Sequence, residues 1–169
     1  MKVRIHLAAA LAVALAACGS NRPADEPPPP TGRNDNLIVP GQRIGKVAVG
    51  MPARQLVNAA GSPKDSSRLG KGFVSDFGDG LVAVVNDGDL KVVTIGTSDP
   101  WYATPEGIRA GSSELEVVAR LGKAQAVSED RGKPNIKTYC YPGLEIDFWP
   151  QQRGVAALRV TSLACREKP

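Results

Sequence analysis

The sequence is poor in the residues that chemistry most often uses. Its 169 residues include one histidine (His6), three cysteines and only 5% aromatics. No apolar run reaches the ~20 residues of a membrane-spanning helix; the one candidate, Ile5 to Ala17, is too short. Few aromatics also means few platforms for base stacking. Arg43, Lys46, Arg54, Arg109, Arg120 and Lys137 are scattered among acids rather than clustered, so a nucleic-acid partner is not expected. What remains is an ordinary globular composition, 42% apolar and 22% charged, with 18 glycines and 14 prolines that call for many turns.

The N-terminus reads as an address. Lys2 and Arg4 precede an apolar stretch from Leu7 to Ala14, and small residues follow. The run Leu15-Ala16-Ala17-Cys18 resembles the bacterial lipoprotein signal, in which the cysteine thiol is acylated and becomes the first residue. A plain secretory peptide with an incidental cysteine is the alternative. The resemblance implies a signal peptide over residues 1–17, lipidation of Cys18, and attachment to a membrane through more than one acyl chain. Gly19 stands where an aspartate would imply inner-membrane retention, so the expected location is the outer membrane, facing the periplasm. Cleavage removes His6, Lys2 and Arg4, so 19 basic residues face 17 acidic ones and the formal charge falls from +4 to +2. Histidine triads and histidine metal sites are then excluded. With Cys18 lipidated, Cys140 and Cys165 form a pair in an oxidising compartment, and a disulfide is the economical reading. Residues 18–36 carry five prolines and almost no apolar side chain, which predicts a disordered tether reaching up to roughly 55 Å.

The body is written twice. The stretch from Val47 to Gly61 aligns with that from Ile108 to Gly122 at an offset of 61, Gly80-Leu81 with Gly143-Leu144 at 63, and Leu90 to Ile95 with Val155 to Val160 at 65. Each copy begins with a short helix, about 52–60 and 113–121. Pro52 suits the first helical position, Ser113 and Glu116 form a capping box, and Gly61 and Gly122 stop the helices. Strands follow at about 73–77, 81–86 and 90–95, then 136–141, 144–149 and 155–162, with alternation clear in Leu144, Ile146 and Phe148 against Glu145 and Asp147. The expected class is α+β: two tandem units, 37–103 and 104–169, each a short helix followed by a three-stranded antiparallel meander.

Val49-Gly50-Met51 with Val57, Gly61 and Pro63 resembles the helix signature of the small SmpA/BamE-like outer-membrane lipoproteins of the barrel-assembly machinery. The tandem copy and the lipoprotein signal are similar to the wider superfamily that includes β-lactamase inhibitory protein. The second copy departs from the signature, with Gly111-Ser112 and Gly122-Lys123-Ala124. The resemblance implies a role in envelope assembly or maintenance and a protein partner.

No catalytic constellation, metal site or cofactor motif is expected. Asp76 and Asp79 lie roughly 20 Å from Asp87 and Asp89 along a hairpin, too far to share a metal or a glycosidic bond. Glu145 and Asp147 share a strand face, but the hairpin register places Arg159 opposite Glu145, which makes an ordinary cross-strand pair. One feature goes further: both faces of the first copy's strands are apolar, with Val82, Val84, Leu90 and Val92 opposite Leu81, Ala83, Val85, Val93 and Ile95. Either the second copy covers that face or a partner does. Trp101 and Tyr102, in the connector, complete the candidate partner surface. The expected protein is a non-enzymatic, lipid-anchored binding module for another envelope protein; the alternative is an inhibitor of a periplasmic or extracellular hydrolase, such as a β-lactamase or a cell-wall lytic enzyme. Cys18→Ser should abolish labelling by palmitate and leave the precursor uncleaved, and palmitate labelling of that variant at the normal level would refute lipidation at Cys18.

Overall fold

The computed structural model describes residues 35–129, 136–149, 154–162 and 165. The expected signal peptide, the expected lipidation site Cys18 and most of the expected tether lie outside the described residues. From Asp35 the chain forms three two-residue strands, β1 (Ile38–Val39), β2 (Arg43–Ile44) and β3 (Val47–Ala48), which pair as one small antiparallel sheet. Helix α1 (Ala53–Ala60) follows, then β4 (Asp65–Leu69), β5 (Gly72–Gly78), β6 (Leu81–Asn86) and β7 (Val92–Thr97). After the connector come α2 (Glu114–Leu121), β8 (Ala126–Glu129), β9 (Lys137–Tyr141), β10 (Leu144–Trp149) and β11 (Gly154–Thr161).

The expected α+β class with two tandem helix-plus-three-strand units is incorrect. The described residues are mostly β, with two short helices, and each helix is followed by four strands rather than three. All eight strands belong to one antiparallel sheet of order β4-β5-β6-β7-β11-β10-β9-β8. The halves meet where β7 pairs with β11, Ile95 opposite Val160 and Gly96 opposite Arg159. The extra strands are the two edges. All five residues of β4 are exposed, and β8 buries little, so neither shows the apolar alternation by which a strand is read from sequence. The N-terminal sheet consists of two-residue strands, set by backbone pairing rather than by any side-chain period.

One face of the large sheet carries the core. Leu81, Ala83, Val85 and Ile95 on the first half are continuous with Val160, Leu158, Ile146 and Leu144 on the second, all at most 9% exposed. The helices and the small sheet cover this face, with Leu56 of α1, Val117 of α2 and Ile38, Ile44 and Val47 buried in the same cluster. Helices of eight residues do not hold alone, so this packing is what forms them. Their ends follow the expected punctuation: Ser113 Oγ accepts from the Glu116 amide while Glu116 accepts from the Ser113 amide, and Gly61 and Gly122 sit at positive φ, donating to Val57 and Val118. Pro52 is the N-cap rather than the first helical residue, with no side-chain cap of its own.

The small sheet reaches the second half through one close contact. Gly41 donates its amide to the Gly143 carbonyl at 2.8 Å, and a Cβ on Gly143 would fall 2.3 Å from the Gly41 nitrogen, so only glycine allows this approach. Cys140 and Cys165 are disulfide-bonded, with Cα atoms 5.7 Å apart and a sequence separation of 25. Closing a loop of that length contributes about 3 kcal/mol in the chain-entropy model. Reduction should therefore lower the denaturant midpoint of the folded protein, and Cys140→Ser/Cys165→Ser should reproduce the loss; thiol titration that finds both cysteines free in the oxidised protein would contradict the bridge.

Candidate functional site

The structure separates the residues expected to form one surface. Val82 and Val84 are half-buried on the sheet face opposite the core. Val92 is not on that face: it is 1% exposed and belongs to the core cluster. The reason is an irregularity in the β6–β7 register, which pairs Val84 with Thr94 but Val85 with Val92 and leaves Val93 as the extra residue. Leu90, 53% exposed, sits in the hairpin at φ 52°, where its carbonyl accepts from the Ala53 amide at the start of α1. Trp101 and Tyr102 lie on the helix side of the sheet.

Those two aromatics pack edge to face, centroids 4.9 Å apart, beside a hollow of about 370 Å³. Phe77, Ala60 and Gly45 form part of its wall, and Asp35, Asp79 and Asp99 supply carboxylates. Two of these carboxylates already have structural work. Arg43 donates both Nη atoms to Asp35, at 2.7 and 2.8 Å, and these hydrogen bonds hold the Asp35 carboxyl below the ordinary carboxylate range. Asp99 Oδ1 accepts from the Trp101 amide at 2.9 Å and so fixes the connector turn. Burial, and then the charges of Asp99 and Asp79, raise the Tyr102 hydroxyl.

Among the described residues no helix or strand lies over the face opposite the core, because the two halves join edge to edge instead of stacking; at the second half the disulfide brings Cys165 against this face at Cys140. One lateral row crosses all eight strands: Asp65, Asp76, Val82, Gly96, Arg159, Glu145, Cys140 and Ala126. On the first half, Val74 and Val84 stand beside this row. On the second half, Arg159 binds two carboxylates, with Nη2 2.9 Å from Glu145 Oε2 and also 2.9 Å from Asp147 Oδ1. The register expected for Glu145 and Arg159 is the observed one. Asp147, 7% exposed, also accepts from Thr138 Oγ1 at 2.7 Å. Glu145 and Asp147 are thus clasped by one guanidinium.

Asp87 and Asp89 sit in a turn organised by Asn86 Oδ1, which accepts from the Gly88 amide, and Asp87 pairs with Arg68. Among the described residues no three metal-ligating side chains gather. The place of Asp65 and Asp76 on the open face was not foreseen. Asp65 lies on an edge strand without apolar period, and no local signal in the sequence marks that register.

No family model matches the chain, and no curated protein matches it. Two solved structures are similar at a distance. A DUF4309 family protein from Bacillus subtilis has 12% identity and a TM-score of 0.48, covering 66% of this chain and 78% of that one. A cysteine-rich secretory protein from Staphylococcus aureus has 11% identity and a TM-score of 0.48, covering 73% of this chain and 47% of that one.

The tyrosines report on how the site's surroundings are held. Tyr139 donates to the Glu114 carboxylate, tying the sheet to the start of α2, and this bond together with burial pushes its pKa up to about 12. Burial also raises Tyr141, whose hydroxyl donates to the Gly122 carbonyl. A hydroxyl raised in the folded state stabilises it fully below the ordinary tyrosine pKa of ~10 and loses that contribution as pH climbs through the folded value. Absorbance at 295 nm should show little tyrosinate in the folded protein at pH 10, and Glu114→Gln should bring one tyrosine down; ordinary titration of all three in the folded state would contradict these contacts.

Proposed function

We propose that this protein is a non-enzymatic lipoprotein of the bacterial envelope, anchored in the outer membrane through Cys18 and facing the periplasm, that binds another envelope protein through the open face of its sheet. The observation that supports this reading is the strip of Val74, Val82 and Val84, half-buried, flanked by charge and not covered by any element among the described residues. An apolar strip in the middle of a polar-rimmed face is the usual anatomy of a protein-protein contact. Asp35, the first described residue, lies on the other side of the sheet, in the hollow beside Tyr102. Envelope assembly or maintenance is the process the signature in the first copy suggests.

A neutral change tests the face without altering its charge. Val82→Gln/Val84→Gln should shift the melting temperature by only a few degrees, since half-exposed positions tolerate polar side chains at a cost of about 1 kcal/mol or less each. Capture of the envelope partner by the tethered protein should fall at least tenfold. A collapsed melting temperature would mean that the face is covered in the whole chain, and full capture would place binding elsewhere. The captured protein also separates the two functional classes, a secretion or barrel component favouring assembly and a soluble hydrolase favouring inhibition.

A further inference from the structure

The open face is acidic on a chain whose formal charge is +4. Its lateral row and the flanking Asp147 hold four carboxylates, Asp65, Asp76, Glu145 and Asp147, against one guanidinium, that of Arg159. Asp65 and Asp76 are directly opposite one another on β4 and β5. Like charges in that position repel, so the pair is an unfavourable choice for folding alone. Among the described residues neither has a salt bridge: Asp65 Oδ1 accepts from the Ser66 amide and Asp76 Oδ1 from the Gly78 amide, and the nearby Lys64 ammonium lies against Gly78. At the other end Arg159 is shared between two acids, leaving one negative charge in excess.

Between these ends the face is low and apolar. Val82 is next to Asp76, and Gly96 comes next in the row; a Cβ there would stand 3.4 Å from Arg159 Cγ, so the stem of Arg159 lies along the space that Gly96 leaves. Four strand spacings of ~4.8 Å separate Asp76 on β5 from Glu145 on β10, or roughly 19 Å.

Resting on the reading of this face as a docking surface, we infer that its partner is a protein presenting a basic surface, with two cationic side chains roughly 19 Å apart and an aliphatic or aromatic side chain between them that seats on Val82 and Gly96. An α-helix laid across the strands meets this with basic residues 11 or 14 positions apart, which share one face at 3.6 residues per turn and lie ~17 or ~21 Å apart. A second copy of the chain would set acids against acids, and an anionic lipid surface would be repelled, so neither occupant fits the charge.

The test uses the full chain, isotopically labelled, and two synthetic amphipathic helical peptides of leucine with lysine or with glutamate. The lysine peptide should shift the amides of Val82, Gly96, Arg159 and Glu145 and bind more weakly as salt is raised; the glutamate peptide should not bind. Asp65→Asn/Asp76→Asn/Glu145→Gln should weaken the lysine peptide and the captured partner at least tenfold. That variant relieves a repulsion, and its amide oxygens still accept the hydrogen bonds that the native carboxylates take, so it should keep its fold. Equal binding of the two peptides, shifts confined to the helix side, self-association through this face in sedimentation, or adhesion to phosphatidylglycerol vesicles through it would each overturn the inference. If Val82→Gln/Val84→Gln abolishes partner capture while the charge variant does not, the docking face stands and its basic partner falls. If capture survives both sets of changes, both fall.

Discussion

The hydrogen-bonded seam between β7 and β11 decides the form of the whole molecule. Two repeated halves can hide apolar surface either by stacking their sheets face to face or by joining edges. Here Thr94 to Thr97 pair with Leu158 to Thr161, and the result is one sheet with two very different sides. On one side Ile95 and Val160, neighbours across the seam and both fully buried, make the core continuous between halves. Burying a side chain of that size is worth about 1.5–3 kcal/mol relative to exposure, so a seam that aligns two of them stabilises the joined state over two separate halves. On the other side the same register sets Gly96 beside Arg159, and no element among the described residues is stacked above them.

That seam also explains why the helices can be so short. Each contributes one fully or nearly buried residue, Leu56 or Val117, to a core that the strands have already made. Their isolated stability is negligible, and what fixes their position is local: the capping box at Ser113 for one, and for the other the Leu90 carbonyl, which takes the Ala53 amide. The tie from Tyr139 to Glu114 works in the same direction, linking the acid-rich first turn of α2, where negative charge is favoured, to a strand beneath it.

What was legible in the sequence follows from which residues bury apolar surface. The six inner strands and both helices carry an apolar period, and their approximate bounds could be read, as could the pairing of Glu145 with Arg159. The edge strands could not, because Asp65-Ser-Ser-Arg-Leu69 is polar on both faces and owes its conformation to hydrogen bonds from β5 alone. Missing them turned two four-stranded halves of a mostly β sheet into two small α+β units. The misplacement of Val92 has a different cause. Strict alternation assigned it to the outer face, but the irregularity after Val84 inserts one residue and reverses the facing of what precedes it. A register slip of one residue is invisible in composition and decisive for a surface, which is why Val82 and Val84 belong to the candidate site and Val92 does not.

The chemistry of the open face also bears on how such a surface can persist uncovered. Valines exposed on a sheet invite association, and an unpaired sheet edge invites it more. The edge strand β4 places Asp65 and Arg68 where another chain would have to add, and Glu145 and Asp147, both clasped by Arg159, border the valines on the other half. A second copy approaching this face brings the same acids with it and meets repulsion before contact, whereas a basic surface is drawn in from a distance set by the Debye length of ~8 Å in physiological salt. On the docking reading proposed above, one set of charges would do two things: keep the valines from joining copies of the same chain, and favour an oppositely charged partner to cover them.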